Sequence, residues 1–262
     1  MVNEVLMHII DDRVVEITLN RPEVLNVYNG DLLISLNQIL DEIEQNKKIR
    51  VVLLKGAGKH FSAGADVNWF KKLSDATDNE KLRAAQLSTN TMKKLFEFPI
   101  PTIAMVHNAC LGGAVGYPAS CDIVVASDDA RFAITEVKLG ITPAPILPQV
   151  ISAVGPRIAR RLSITGSSID AVEAKRIGLV HEICEVGGLE QATSPIIEDI
   201  LRAAPEAVKT TKKLINGIVP VNYNDDLAIS LAEMSAGSRS TKEGIEGFSA
   251  FLDKRHPKWY KT

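Results

Sequence analysis

Strand-like and helix-like patterns alternate along most of this chain, and that alternation restricts its possible folds more than any single motif does. VLMHIIDDRVVEITLN reads as two strands turning at Asp11-Asp12, and the proline of RPEVLN ends the second. In GDLLISLNQILDEIEQNKK, Leu32, Leu33, Leu36, Ile39, Leu40 and Ile43 recur at helical spacing, giving an amphipathic helix with a polar back. VVLLKGAG is then a short, wholly apolar strand that breaks into the small-residue turn GKHFSAGAD. A second cycle runs through the helical EKLRAAQLSTNTMKKLFEF, stopped by Pro99 and Pro101, the strand TIAMVHN, the run CLGGAVGYPAS and the strand DIVVAS. A third unit, ARFAITEVKLG, precedes the amphipathic PQVISAVGPRIARRLSITG. From about residue 186 the patterns are helical, as in PEAVKTTKKLINGI and DDLAISLAEMSAGS. The expectation is a mixed α/β core over residues 1–190 and a helical C-terminal region over 191–262, with no flexible linker between them.

A chain of 262 residues can bury a large core, so an enzyme-sized globular body is the default. Its 30 basic and 32 acidic side chains leave a formal charge of −2, which gives no global attraction to nucleic acid or an anionic membrane. The three cysteines show no CxxC pairing and read as reduced thiols, fitting a reducing compartment. No segment approaches the roughly 18 apolar residues of a membrane span, and the start lacks a signal-peptide layout, so a cytoplasmic protein is expected. The five histidines lack ligand-pair spacing, and no metal is expected. GAGKH lacks the rest of a phosphate loop, and no GxSxG elbow occurs.

Two loops and one acid carry the chemistry. FSAGADVNW (61–69) places Ala63, Gly64 and Ala65 where larger side chains would obstruct, so a ligand can reach backbone N–H groups. LGGAVGYPAS (111–120) opens a short helix on glycines, whose free N–H groups suit an anionic oxygen. Two such donors make an oxyanion hole; close packing of helix on sheet demands the same small residues. In RFAITEVKLGITPAP, Glu136 is either a surface acid or a proton carrier. Its neighbours Ile134, Val137 and Leu139 hinder solvation and so favour a raised pKa.

Taken together, ITLNRPEVLN, HFSAGAD, LGGAVGYPASCDIVVASDDARFAITEVKLGITP and FLDKR resemble the crotonase family, the enoyl-CoA hydratase/isomerase superfamily, nearly end to end. The resemblance implies a crotonase-like spiral of ββα repeats with a helical C-terminal trimerisation region, as a homotrimer or dimer of trimers. It implies an acyl-CoA thioester as substrate, so coenzyme A enters with the substrate and no separate cofactor is expected. By position, the amides of Ala65 and Gly113 are similar to the family's oxyanion hole, and Glu136 to its second catalytic glutamate. Ala63, Asp66, Val67 and Asn68 fall where relatives line the CoA groove, although Asp66 equally suits a helix N-cap. Phe251 and Lys254 match positions that reach a neighbouring subunit's CoA; Lys254 also reads as part of a solvated basic tail, KRHPKWYK.

One departure bears on the reaction. The first glutamate of two-glutamate hydratases maps to Gly116, which cannot move a proton. SAGADVNWF, with Asn68-Trp69, and GYPASCD resemble bacterial methylglutaconyl-CoA hydratases of leucine breakdown, while Trp69 also suits a core or interface aromatic. The expected activity is hydration of a 2-enoyl-CoA, such as 3-methylglutaconyl-CoA. The alternatives are a Δ3,Δ2-enoyl-CoA isomerase using Glu136 alone, and a catalytically impaired protein that binds CoA esters or RNA. Charge argues against RNA, apart from a local patch of Arg157, Arg160 and Arg161.

Overall fold

The computed structural model describes residues 3–74, 76–218 and 224–258. Its strands are β1 (Val5–Asp11), β2 (Val14–Leu19), β3 (Val51–Gly56), β4 (Thr102–Val106), β5 (Ala109–Leu111), β6 (Ile123–Ser127), β7 (Arg131–Ala133), β8 (Ile169–Asp170) and β9 (Glu182–Cys184). The expected hairpin forms between β1 and β2, where Asp11 Oδ1 accepts the N–H groups of Arg13 at 2.6 Å and Val14 at 3.1 Å. The main sheet runs β1-β2-β3-β4-β6-β9 and is parallel after its first pair. A smaller sheet runs β5-β7-β8. Successive turns of the chain leave one strand in each sheet, β4 then β5 and β6 then β7, which is the expected spiral.

Ten helices are described: α1 (Gly30–Gln45), α2 (Val67–Ser74), α3 (Asp78–Glu97), α4 (Gly116–Ser120), α5 (Leu147–Thr165), α6 (Ala171–Arg176), α7 (Leu189–Arg202), α8 (Pro205–Ile218), α9 (Asp225–Arg239) and α10 (Lys242–Leu252). Alternate residues of the main sheet serve two cores. Val15, Ile17, Val52, Leu54 and Ala104 join the apolar stripe of α1, whereas Val14, Val51, Leu53, Ile103 and Met105 are covered by Leu189, Ile196, Ile197 and Ile200 of α7. Central strands buried on both faces need no polar alternation, which is why VVLLKG and TIAMV are almost wholly apolar. The helix expected from Pro148 onward is interrupted at Gly155, with φ 72° and ψ 162°. Pro156 disfavours helical backbone in the residue before it and supplies no N–H.

The helical C-terminal region closes over the same chain's core. Ala232 and Ala236 of α9 lie against Ala85 of α3. Lys212 of α8 reaches Asp122 Oδ2 at 2.6 Å. On α10, a Cβ at Gly247 would run into the carbonyl oxygen of Leu139, and one at Gly140, where φ is 70°, into that of Glu243. The backbones of α10 and the 139–140 turn therefore touch directly. Cys110 is buried, Cys121 and Cys184 are partly exposed, and all three are free thiols. Among the described residues no helix is long and apolar enough to cross a membrane.

Candidate active site

The two glycine-bearing loops meet. An isolated parallel bridge pairs Tyr28 with Ala65: Tyr28 N–H donates to Gly64 O and Asp66 N–H to Tyr28 O, both at 2.8 Å. Backbone alternation then turns the N–H of Ala65 the opposite way. Gly64 has φ 103°, and a Cβ there would stand 2.8 Å from Leu111 O, so only glycine lets this loop lie on the next. Gly113 is the second residue of a 3-10 turn, Gly112–Val115, where an N–H has no carbonyl inside the turn to bond. Ala65 and Gly113 line one cavity of about 540 Å3 together with Ala63, Val67, Glu136 and Phe251. Two backbone amides on the wall of one cavity suit an oxygen on which negative charge develops.

Glu136 opens a second 3-10 turn, Glu136–Leu139, held by the left-handed Gly140. Its carboxyl reaches toward the first turn, since a Cβ on Gly112 would lie 3.8 Å from Oε1. Glu136 keeps part of its surface toward the cavity, while Oε2 is closed off from solvent without a hydrogen-bond partner. Burial raises its pKa from 4.5 to about 7, only partly offset by a backbone hydrogen bond. Glu136 is thus a shielded acid facing the cavity rather than a surface acid.

Gly116, where a second glutamate is expected, faces an apolar wall. A Cβ there would stand 3.0 Å from Met92 Sδ and 3.1 Å from Ile146 Cβ, and closer still to Ile146 Cγ2. Side chains missed in the sequence line the cavity instead. The Tyr28 hydroxyl lies so near Gly113 that a Cβ on that glycine would overlap it. Burial, and then the charge of Glu136, push the Tyr28 phenol far above its ordinary range, with Arg239 opposing; it remains a neutral hydroxyl. Arg239 closes α9, stacks on the Phe70 ring at 4.3 Å and lowers its own pKa to about 10 through burial. Tyr28 sits in the turn NVYNG and Arg239 ends a helix at SAGSRST, contexts that carry no chemical pattern of their own.

The remaining sequence-derived positions divide. Asp66 is committed internally: Oδ1 caps α2 by accepting Asn68 N–H at 2.9 Å, and Oδ2 pairs with Arg21 at 3.1 Å. Arg21 also meets Glu4 at 3.2 Å. Asn68 is exposed on α2, and Lys254 is exposed just after α10 with φ 52°. Neither lines the cavity within this subunit. Trp69 stacks on Phe70 and packs against the core. The end of the KRHPKWYK run, from Trp259, lies outside the described residues.

Comparison with known proteins agrees with this arrangement. A family model described as enoyl-CoA hydratase/isomerase matches residues 10–262. The chain is 35% identical over 254 residues to the short-chain-enoyl-CoA hydratase of Clostridium acetobutylicum, covering 96% of each chain. It is 30% identical over 269 residues to the peroxisomal Delta(3,5)-Delta(2,4)-dienoyl-CoA isomerase of Arabidopsis thaliana, covering 98% of this chain and 96% of the relative. The crystal structure of an enoyl-CoA hydratase from Mycobacterium avium superposes with a TM-score of 0.87 at 30% identity, over 99% of this chain and 100% of that one. The chain is an enzyme of the enoyl-CoA hydratase/isomerase family, with the crotonase fold.

Proposed function

We propose that the protein hydrates a 2-enoyl-CoA whose acyl group is branched or carboxylated, of the 3-methylglutaconyl type. The observation that carries this reading is the solvent-shielded, unpartnered oxygen of Glu136 beside the loops that present the Ala65 and Gly113 amides. As a carboxylate, Glu136 takes a proton from water while the water oxygen bonds to C3. The C2–C3 π pair moves to C1–C2, and the thioester oxygen gains the charge that the two amides stabilise. When the carbonyl re-forms, C2 takes the proton back from Glu136, so one water is added and the carboxylate is restored. One glutamate suffices for this proton count.

A specific observation favours a second reading. With Gly116 walled by Ile146 and Met92, a Δ3,Δ2-enoyl-CoA isomerase needs only Glu136 to lift a proton from C2 and return it to C4. The test is incubation of the protein and Glu136→Gln with 3-methylglutaconyl-CoA, crotonyl-CoA and a 3-enoyl-CoA, with products resolved by mass. A gain of one water that disappears in the variant supports hydration, and an isomerised product of unchanged mass replaces it with the second reading. Thioester binding without turnover moves the chain to the binding-protein class. The proposal includes assembly as a trimer or dimer of trimers in the cytoplasm, with Lys254 reaching a neighbour's CoA, whereas Phe251, expected to do the same, lines the cavity of its own subunit.

A further inference from the structure

Three cations line the cavity among the described residues: Lys138, Arg239 and Arg255. Lys138 is exposed, and Arg255 is held by Glu246 at 2.6 Å. Arg239 differs from both. Its Nε and Nη1 are closed off from solvent and have no hydrogen-bond partner. Its polar contact is a 3.3 Å bond from Nη2 to Ser235 Oγ, a neutral group. The Phe70 ring supports one face of the guanidinium, but the N–H donors lie in the guanidinium plane, so stacking leaves them unsatisfied. An unpaired charge shut away from water is costly, and such groups are ordinarily completed by a partner.

The position of this charge defines what could complete it. Arg239 lines the same cavity as Tyr28 and Glu136. A thioester held by Ala65 and Gly113 places its reacting carbons at Glu136. The far end of the acyl chain then lies in the cavity whose wall Arg239 shares. The cavity wall contributed by Leu139, Ile141 and Pro145 is apolar, Lys138 is exposed and Arg255 is paired with Glu246, so among the described cations of the cavity Arg239 is the one with shielded, unpartnered donors.

We propose that Arg239 forms a carboxylate subsite, so that the cavity selects acyl-CoA thioesters whose acyl chain ends in an anionic group. This rests on the thioester reading above and adds to it the residue that reads the acyl tail. The guanidinium fork matches a carboxylate bidentately, and lysine at the same place would not.

Binding of inert saturated thioesters tests this without turnover. Isothermal titration calorimetry compares glutaryl-CoA with valeryl-CoA, which have equal carbon counts and differ in the terminal carboxylate. The wild-type protein is expected to bind glutaryl-CoA at least about tenfold more tightly, as a charged hydrogen bond in a shielded site implies. Arg239→Met is expected to erase that preference and Arg239→Lys to keep part of it. Equal affinities in the wild type overturn the subsite and need no variant. A preference that survives Arg239→Met assigns the carboxylate to another cation and overturns the role of Arg239, as does an equal weakening of both ligands. Failure of both thioesters to bind removes the thioester reading and the subsite together.

Discussion

Replacing Gly116 by alanine adds one methyl group to a wall already in contact. The new Cβ would stand 3.0 Å from Met92 Sδ and 3.1 Å from Ile146 Cβ, with Ile146 Cγ2 nearer still. Relaxed carbon contacts are about 3.5–4.0 Å, so side chains must move in a region where Ile146 and Met92 are each 1% exposed. Overpacking of this kind costs about 1–3 kcal/mol. Alanine recovers about 0.5–1 kcal/mol of helix preference over glycine in α4. The net destabilisation is about 1–2 kcal/mol, which lowers Tm by about 2–8 °C for a chain of this size. Ile146→Ala alone leaves a hole and costs about 2–5 kcal/mol. In the double variant the methyl at 116 enters that hole, so the two losses fall short of additive by about 1 kcal/mol or more. Ile146→Val, which keeps Cγ2, gives no such relief. Thermal and urea unfolding of the cycle measure each quantity. A Gly116→Ala protein that melts at or above the wild type, or strictly additive losses with Ile146→Ala, would refute the reasoning. If it holds, the family's first glutamate cannot be regained here by one substitution.

Three further outcomes follow from the site. Because Glu136 titrates at about 7 in the folded chain against an ordinary 4.5, its favourable contribution is intact below about pH 4.5 and lost as pH rises through 7. Glu136→Gln should therefore unfold at higher urea than wild type at pH 8, by about 3 kcal/mol, with the difference fading toward pH 4, while wild-type turnover rises with pH through about 7. Gly113→Ala should displace Tyr28 and cut kcat/KM by about 100-fold; adding Tyr28→Phe should recover thermal stability before activity, as followed by calorimetry and rate assays. Asp66→Asn keeps the cap of α2 but breaks the ion pair with Arg21, whereas Asp66→Ala loses both. The alanine variant should be less stable than the asparagine variant by about 1 kcal/mol in urea unfolding.

Much of this architecture was readable in the sequence because strand and helix periods, glycine turns and proline stops are local signals. The hairpin at Asp11, the stripe of α1 and the doubly buried β3 and β4 all follow from spacing. The break at Gly155 was equally present in the Gly-Pro pair, but the amphipathic pattern on either side overrode it. At the site, Glu136 and the Ala65 and Gly113 amides were legible because small residues and one acid had to be explained together. Tyr28 and Arg239 were not, since their roles arise from burial by segments distant in the chain. Asp66 read equally as a CoA-groove contact and as a helix N-cap; the cap on Asn68 forms, and only the packed fold shows that its other oxygen is taken by Arg21.

The direct backbone contact of α10 with the Leu139–Gly140 turn has a consequence for the order in which the enzyme matures. The turn that carries Glu136 is made about midway through synthesis, but the helix packed against its far end is made of residues more than a hundred positions later. A nascent chain that has emerged only as far as α9 lacks Gly247, Ala250 and Phe251, which line the cavity beside Glu136. Completion of the cavity wall therefore waits for the docking of α10.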